Sequence, residues 1–374
     1  MPFSGRLGFQ FVQDTTPAAP EWYELSKTDV SNVVSTFSLT GTRSYSTFNI
    51  GSTIWNGEGA YRGPVAGPNG NVYLCPSAKT TNSILEYDPV NEVATEIDSG
   101  ETLSGNPKYI AGALGPDNKI YWAPFSMDKF LIYDVDAGTF ELQDWGITFS
   151  GFNCEFARFA GDKLYCIGSP ANAVIVNTTA NTAVESNLGI SLGTTGAKYV
   201  SGVRSIADDC IYAGGYNNGY VLKIDPTTDT ATQTNYGGTY NNKCQGITNG
   251  KNGNLYITAH TGSNAYELDP IANTLTAISG ATTTMGAAMG TDGNVYAGAW
   301  TSTDFVDVTV PSLTRNPPYM PNGQHRWGSI SIGNTILQFG HSNTHVAHID
   351  AAGSGDGEDL LEKITLTNYY NKDR

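Results

Sequence analysis

"KCQGITNGKNGNLYITAHTGSNAYELDPIANTLTAI", residues 243–278, reads as four short strands: Cys244–Ile247, Asn254–Thr258, Ala265–Leu268 and Thr274–Ile278. Gly- and Asn-rich turns and one Asp-Pro corner separate them. One such unit has a single apolar face and nothing to bury it on, so it is stable only beside copies of itself.

The copies are present. The aromatic closing the second strand recurs as Tyr73, Tyr121, Tyr165, Tyr212, Tyr256 and Tyr296, with Leu337 in its place in the last copy, at a period of 40 to 48 residues. Between 12 and 15 residues later come Asp88, Asp134, Asn177, Asp225, Asp269, Thr309 and Asp350, which end the third strands. A glycine 9 or 10 residues before the aromatic stands at Gly63, Gly112, Gly202, Gly246, Gly286 and Gly328; the third copy has Phe156-Ala157 instead. Four strands at this period predict an all-β fold, a seven-bladed β-propeller with four antiparallel strands per blade.

The predicted domains are an N-terminal arm or docking extension over 1–44, the propeller over 45–367 and a C-terminal tail over 368–374. Residues 326–350 supply only three strands of the last blade, and 44–63 resembles a fourth strand followed by a crossing. Closure of the ring by strands from both termini is therefore expected, since it removes free sheet edges. Leu361–Thr367 is the competing choice for that strand.

A net charge of −15 argues against nucleic acid and against an anionic membrane as partners. No run reaches the roughly 20 apolar residues of a spanning helix, so no membrane insertion is expected. The N-terminal stretch has no continuous apolar core of a signal peptide. The five cysteines fall mostly in or beside strands and read as buried free thiols.

Strand polarity sorts the loops onto two faces. One carries the Asp-rich turns, whose side chains cap tight turns. The other carries the starts of the first strands, where Arg62, Lys108, Lys198, Lys243 and Arg326 stand just before the inner glycine or its equivalent. Together they predict an electropositive mouth for carboxylate or another anion. Phe125, Tyr216, His260, Trp300, His341 and His345 lie in the second-to-third loops around it. Aromatic planes among Asn, Thr and Gly suit a glycan or protein surface. The binding candidates are thus Arg62, Lys108, Lys198, Lys243, Arg326, Tyr216, His260, Trp300, His341 and His345. His341 and His345 share a loop near His325 and His348, but no Asp or Glu accompanies them at metal-ligand spacing, and His348 alternates into a strand. No cofactor, metal or catalytic residue is assigned.

"DDCIYAGGYNNGYVLKIDPTTDTATQT", residues 208–234, is similar to repeats of the propellers that include virginiamycin B lyases, gluconolactonase-like proteins and YVTN-repeat proteins. The lyase resemblance implies a His/Glu-assisted elimination and the lactonase resemblance a Glu/Asn/Asn/Asp metal centre in the channel. Neither set maps residue by residue, and cations are expected where carboxylates would stand. "GPNGNVYLCP", "GPDNKIYWAP" and "GTDGNVYAGAW" also resemble repeats of marine phage structural proteins. The function expected is a non-enzymatic structural and binding module of a phage virion (tail, baseplate or fibre), assembled in the host cytoplasm. It would dock through its arm to other virion proteins or a protein scaffold in a larger assembly and bind a partner protein or host surface glycan. The alternative is a lyase or lactonase-like enzyme acting at the channel mouth.

Overall fold

The computed structural model describes residues 44–51, 54, 59–78, 80, 82–149, 153–169, 173–191, 199–216, 219–236, 244–259, 264–279, 284–290, 294–299, 305–309, 312–316, 326–333, 335–340 and 345–350. Strand β1 (Ser44–Asn49) precedes a first sheet of β2 (Tyr61–Ala66), β3 (Val72–Pro76), β4 (Ser83–Asp88) and β5 (Val93–Asp98). The next comprises β6 (Tyr109–Leu114), β7 (Lys119–Pro124), β8 (Phe130–Asp134) and β9 (Thr139–Gln143). It is followed by β10 (Asn153–Ala160), β11 (Lys163–Ser169), β12 (Ala173–Asn177) and β13 (Thr182–Ser186), then by β14 (Tyr199–Arg204), β15 (Ile211–Gly215), β16 (Tyr220–Asp225) and β17 (Thr230–Asn235). The fifth sheet is β18 (Cys244–Asn249), β19 (Leu255–Ala259), β20 (Asn264–Asp269) and β21 (Thr274–Ser279); the sixth is β22 (Thr284–Met289), β23 (Val295–Ala299), β24 (Phe305–Thr309) and β25 (Ser312–Asn316). Last come β26 (Arg326–Ile332), β27 (Thr335–Gly340) and β28 (His345–Asp350).

The architecture is an all-β β-propeller of four-stranded antiparallel blades. Six blades are runs of four consecutive strands, rather than seven such runs. The remaining sheet is composite: β1 lies antiparallel against β28, with Ser44 opposite Asp350 and Asn49 opposite His345. The competing strand, Leu361–Thr367, lies outside the described residues.

Apolar side chains gather between neighbouring sheets. Trp122, Leu131 and Tyr133 meet Val65, Tyr73 and Ile84 of the preceding blade, and Tyr165, Ile167 and Ile175 meet Tyr199, Ile211 and Leu222 of the following one. All five cysteines are buried free thiols in these layers. The inner glycines mark where blades come closest: a Cβ on Gly246 would stand 2.5 Å from the carbonyl carbon of Gly286 in the next blade.

The repeated Tyr is required by its turn. Gly67, Gly115, Gly250 and Gly290 each donate a backbone N–H to the carbonyl of Asn71, Lys119, Asn254 and Asn294, at 2.7–2.8 Å. A Cβ on Gly250 would fall 2.2 Å from the Tyr256 ring, so the glycine lets the ring lie over the turn. The hydroxyl then reaches the turn's Asn or Asp. Tyr121 donates to Asp117 Oδ2 at 2.7 Å and Tyr212 to Asp208 Oδ2 at 2.8 Å. Tyr73 donates to Glu86 Oε1 at 2.7 Å, and Tyr256 to Glu267 Oε1 at 2.9 Å.

The third-to-fourth turns are equally regular. Side chains of Asp88, Asp134, Asn177, Asp225 and Asp269 accept a backbone N–H two or three residues on, at 2.7–2.9 Å. Four residues after each, at Glu92, Gly138, Asn181, Asp229 and Asn273, φ lies between 52° and 65°. That left-handed step favours Gly and Asn. Turn chemistry therefore accounts for Asp88, Asp134, Asp225 and Asp269, and backbone hydrogen bonds hold the Asp88 and Asp225 carboxyls below their ordinary range. Among the described residues no cluster of three His, Cys, Asp or Glu side chains could hold a metal ion.

Candidate binding site at the channel mouth

The strands nearest the axis, β2, β6, β10, β14, β18, β22 and β26, neighbour one another in that order, and β26 neighbours β2. Each breaks register with its partner strand at the same height. The breaks fall between Arg62 and Val65, Tyr109 and Ala111, Cys154 and Phe156, Tyr199 and Gly202, Cys244 and Gly246, Met285 and Ala288, and Arg326 and Gly328. A bulge leaves residues unpaired and re-aims the side chain. Here Ile110, Glu155, Ser201, Gln245 and Ala287, all within the breaks, line one cavity of about 340 Å³ at the mouth. Phe125 and Tyr216, just beyond β7 and β15, line it as well. A narrower chamber of about 110 Å³ continues inward between Val65, Ala113, Val203, Thr248 and Ile330, and Arg158 borders both.

Among the described lining residues three are charged: Arg62, Glu155 and Arg158. Arg62 stands at the β2 bulge, which is pinned from both sides. The Cys75 thiol donates to the Arg62 carbonyl at 3.1 Å, and Trp122 Nε1 donates to the Gly63 carbonyl at 3.3 Å. The guanidinium lies over Gly59, whose φ is 62° and where a Cβ would approach Arg62 Nη2 to 2.8 Å. Arg158 Nη1 donates to the Ala157 carbonyl at 2.9 Å.

Glu155 is the extra residue of the β10 bulge. Burial pushes its carboxyl up to about 7, and the nearby Arg62 charge only partly offsets that cost. A carboxyl at that value exchanges its proton at neutral pH. Ser201 and Gln245 add hydroxyl and amide groups, and Ser329 Oγ is buried with no hydrogen-bond partner among the described residues.

Of the residues singled out from sequence, Arg62 and Tyr216 share this cavity, together with Phe125. Lys108 does not line it. It precedes β6, is 4% exposed, donates its N–H to the Ser77 carbonyl at 3.1 Å, and burial lowers its pKa. His345 opens β28 opposite Asn49, away from the cavity lining. Arg326 opens β26 at its bulge. Lys198, Lys243, His260, Trp300 and His341 lie outside the described residues. His348 sits within β28 as alternation required, its ring against the Tyr87 hydroxyl and 3.8 Å from Glu92, with burial lowering its pKa.

Glu155, Arg158 and Gln245 were not singled out. The expectation of cations alone at the channel positions is corrected by Glu155, which reaches the mouth because a bulge displaces the alternation of β10. One signal was available: the third repeat alone replaces the landmark glycine, with Phe156-Ala157, and Glu155 and Arg158 flank that replacement.

No family model matches the chain, and no curated protein matches it. Solved structures do. A catalytically inactive variant of virginiamycin B lyase from Staphylococcus aureus, bound to quinupristin, superposes with a TM-score of 0.69 at 12% identity, over 83% of this chain and 99% of that one. The extracellular domain of a one-component system from B. thetaiotaomicron gives 0.60 at 12% identity, over 83% of this chain and 40% of that one. The Cps50 (Swd1) β-propeller domain of Myceliophteria thermophila gives 0.56 at 9% identity, over 82% and 99%. At these identities the likeness is one of fold. The chain is a β-propeller repeat protein, similar in fold to virginiamycin B lyase and to the other propellers named here.

Proposed function

We propose that this chain is a non-enzymatic structural and binding module: a ring of seven blades, closed where β1 completes the sheet of β26–β28, that receives a glycan or a partner protein at the mouth of its channel. The ring of bulges carries this reading. It presents Arg62, Glu155 and Gln245, with Arg158 further along β10, in one cavity with Phe125 and Tyr216, whereas the described turn residues at the opposite end bond among themselves. Stacking rings beside hydrogen-bonding groups are what a sugar or a peptide segment needs. The setting proposed is a phage particle's tail, baseplate or fibre, with 1–44 as the docking arm, as the reading of the sequence expects.

The test has two arms. The full chain and a Tyr216→Ala, Arg62→Gln variant are compared on a glycan array, with the variant expected to lose at least tenfold in binding. The protein is also purified from its source and sized, and co-migration with a megadalton particle is expected. Array binding unaffected by the variant would remove the mouth from the reading, and a free monomer would remove the virion setting.

A second reading is an enzyme, a lyase or lactonase acting at the mouth. Glu155 favours it, since a carboxyl held near neutrality beside a guanidinium suits general acid–base work. Turnover of cyclic esters or lactones that Glu155→Gln abolishes would establish it over the binding module.

A further inference from the structure

We propose that the channel mouth is a site for an acidic sugar, with the uronate carboxylate taken by Arg62 and Arg158 and the sugar ring against Phe125 and Tyr216. This rests on reading the mouth as a binding site and names the ligand class. Arg62, Arg158 and Glu155 line the cavity, and its other described lining residues are uncharged. Guanidinium forks match carboxylate geometry and retain their charge. Gln245, Ser201 and Ser329 are placed for ring hydroxyls, and the volume of about 340 Å³ is that of a small-ligand site.

Glu155 makes the site depend on pH. The groups facing it can be named element by element. Arg62 comes from β2, and β10 itself adds Arg158 and the neighbouring Cys154, whose thiol meets Cys166 of β11. Strand β6 offers Ile110, β14 Val200 and Ser201, β18 Gln245, β22 Ala287 and β26 Ser329, while Phe125 and Tyr216 close the mouth beyond β7 and β15. Ionised, Glu155 attracts the nearby Arg62 charge and repels a second carboxylate; protonated, it repels no anion and can donate a hydrogen bond to it. An anion entering the site therefore draws a proton onto Glu155. A sugar carboxylate itself stays ionised throughout pH 6–8.

The experiment is isothermal titration of the full chain with D-galacturonate, D-glucuronate and neutral D-galactose at pH 6 and pH 8. At least one uronate is expected to bind at least tenfold more tightly than galactose at pH 6. If only the protonated form of Glu155 admits the anion, its ordinary titration about 7 makes uronate affinity fall about tenfold from pH 6 to pH 8. Glu155→Gln should bind at both pH values at least as tightly as the wild type does at pH 6. Arg158→Gln should lose at least tenfold for the uronate and nothing for galactose, with its circular dichroism melt establishing that it folds.

Equal binding of galactose and uronates would overturn the proposal while leaving the mouth a sugar site. Loss of uronate binding in Glu155→Gln, or wild-type affinity equal at pH 6 and pH 8, would overturn the role of Glu155 and with it the site as described. Failure of all three sugars would overturn the acidic-sugar assignment, and only silence on the glycan array and in partner binding as well would remove the broader reading.

Discussion

The two ends of the blades treat polar side chains in opposite ways. At the turn end they satisfy one another: Asn252 and Asn254 donate to Glu267 at 2.7 and 2.8 Å while Tyr256 donates to the same oxygen at 2.9 Å, and Asn71 and Tyr73 repeat the arrangement on Glu86. At the mouth end the described polar groups converge on a cavity, and Glu155 is held in a setting that disfavours its charge. The first arrangement belongs to the turns, and variants of it recur from blade to blade. The second departs from the repeat and belongs to particular blades, with Glu155 and Arg158 both on β10. Regularity at one end thus reports on folding, and irregularity at the other on what the ring holds.

The largest expected effect comes from the layer that supports the mouth. Trp122 is fully buried against Val65 and Leu131 and donates to the Gly63 carbonyl at the β2 bulge. Trp122→Ala should cost about 3–5 kcal/mol in urea unfolding, because the cavity left behind does not collapse. A loss below about 1 kcal/mol would mean that the mouth is not held by packing between the first two blades.

Glu155→Gln should act in the other direction. The folded-state pKa of this acid is raised from 4.5 to about 7, so between these values the folded chain binds a proton that the unfolded chain has released. Stability therefore falls as pH rises from about 4.5 to 7 and is level on either side. The variant removes that slope. Relative to wild type it should gain about 3 kcal/mol at pH 8 and nothing at pH 4. An equal effect at both pH values would show that Glu155 is solvated like an ordinary surface carboxyl, and the contrast between the two ends would disappear.

The turn end was legible in the sequence because its constraints are local. Gly250, Asn252 and Tyr256 lie within one turn, so their spacing is fixed by backbone geometry and recurs wherever the turn does. For the fourth strand of the last sheet the sequence left two choices, 44–63 and Leu361–Thr367; β1 lies beside β28, and the second choice lies outside the described residues. The mouth was read less well. Lys108 was placed there because it stands just before Gly112, but the bulge between Tyr109 and Ala111 gives the channel Ile110, and Lys108, ahead of that bulge, is buried and bonded through its N–H to Ser77. Side-chain direction after a bulge depends on the partner strand's register, which no single strand records. Glu155 was missed for the same reason.

The smallest effect tests the turn end alone. Tyr256→Phe removes a hydroxyl that donates to Glu267 Oε1 and accepts from Asn252 Nδ2 at 3.2 Å. Glu267 keeps both of its asparagine donors, so no buried charge is stranded, and the loss should be that of one hydrogen bond to a charged group sharing its acceptor, about 1 kcal/mol in urea unfolding. The Phe ring still covers Gly250, so the turn keeps its shape and ligand binding at the mouth should be unchanged. A loss above about 3 kcal/mol, or weakened binding at the mouth, would show that the hydroxyl network is coupled through β19 and β18 to the bulge at Gln245. The two ends would then be one cooperative unit, and the division between a folding end and a binding end would have to be given up.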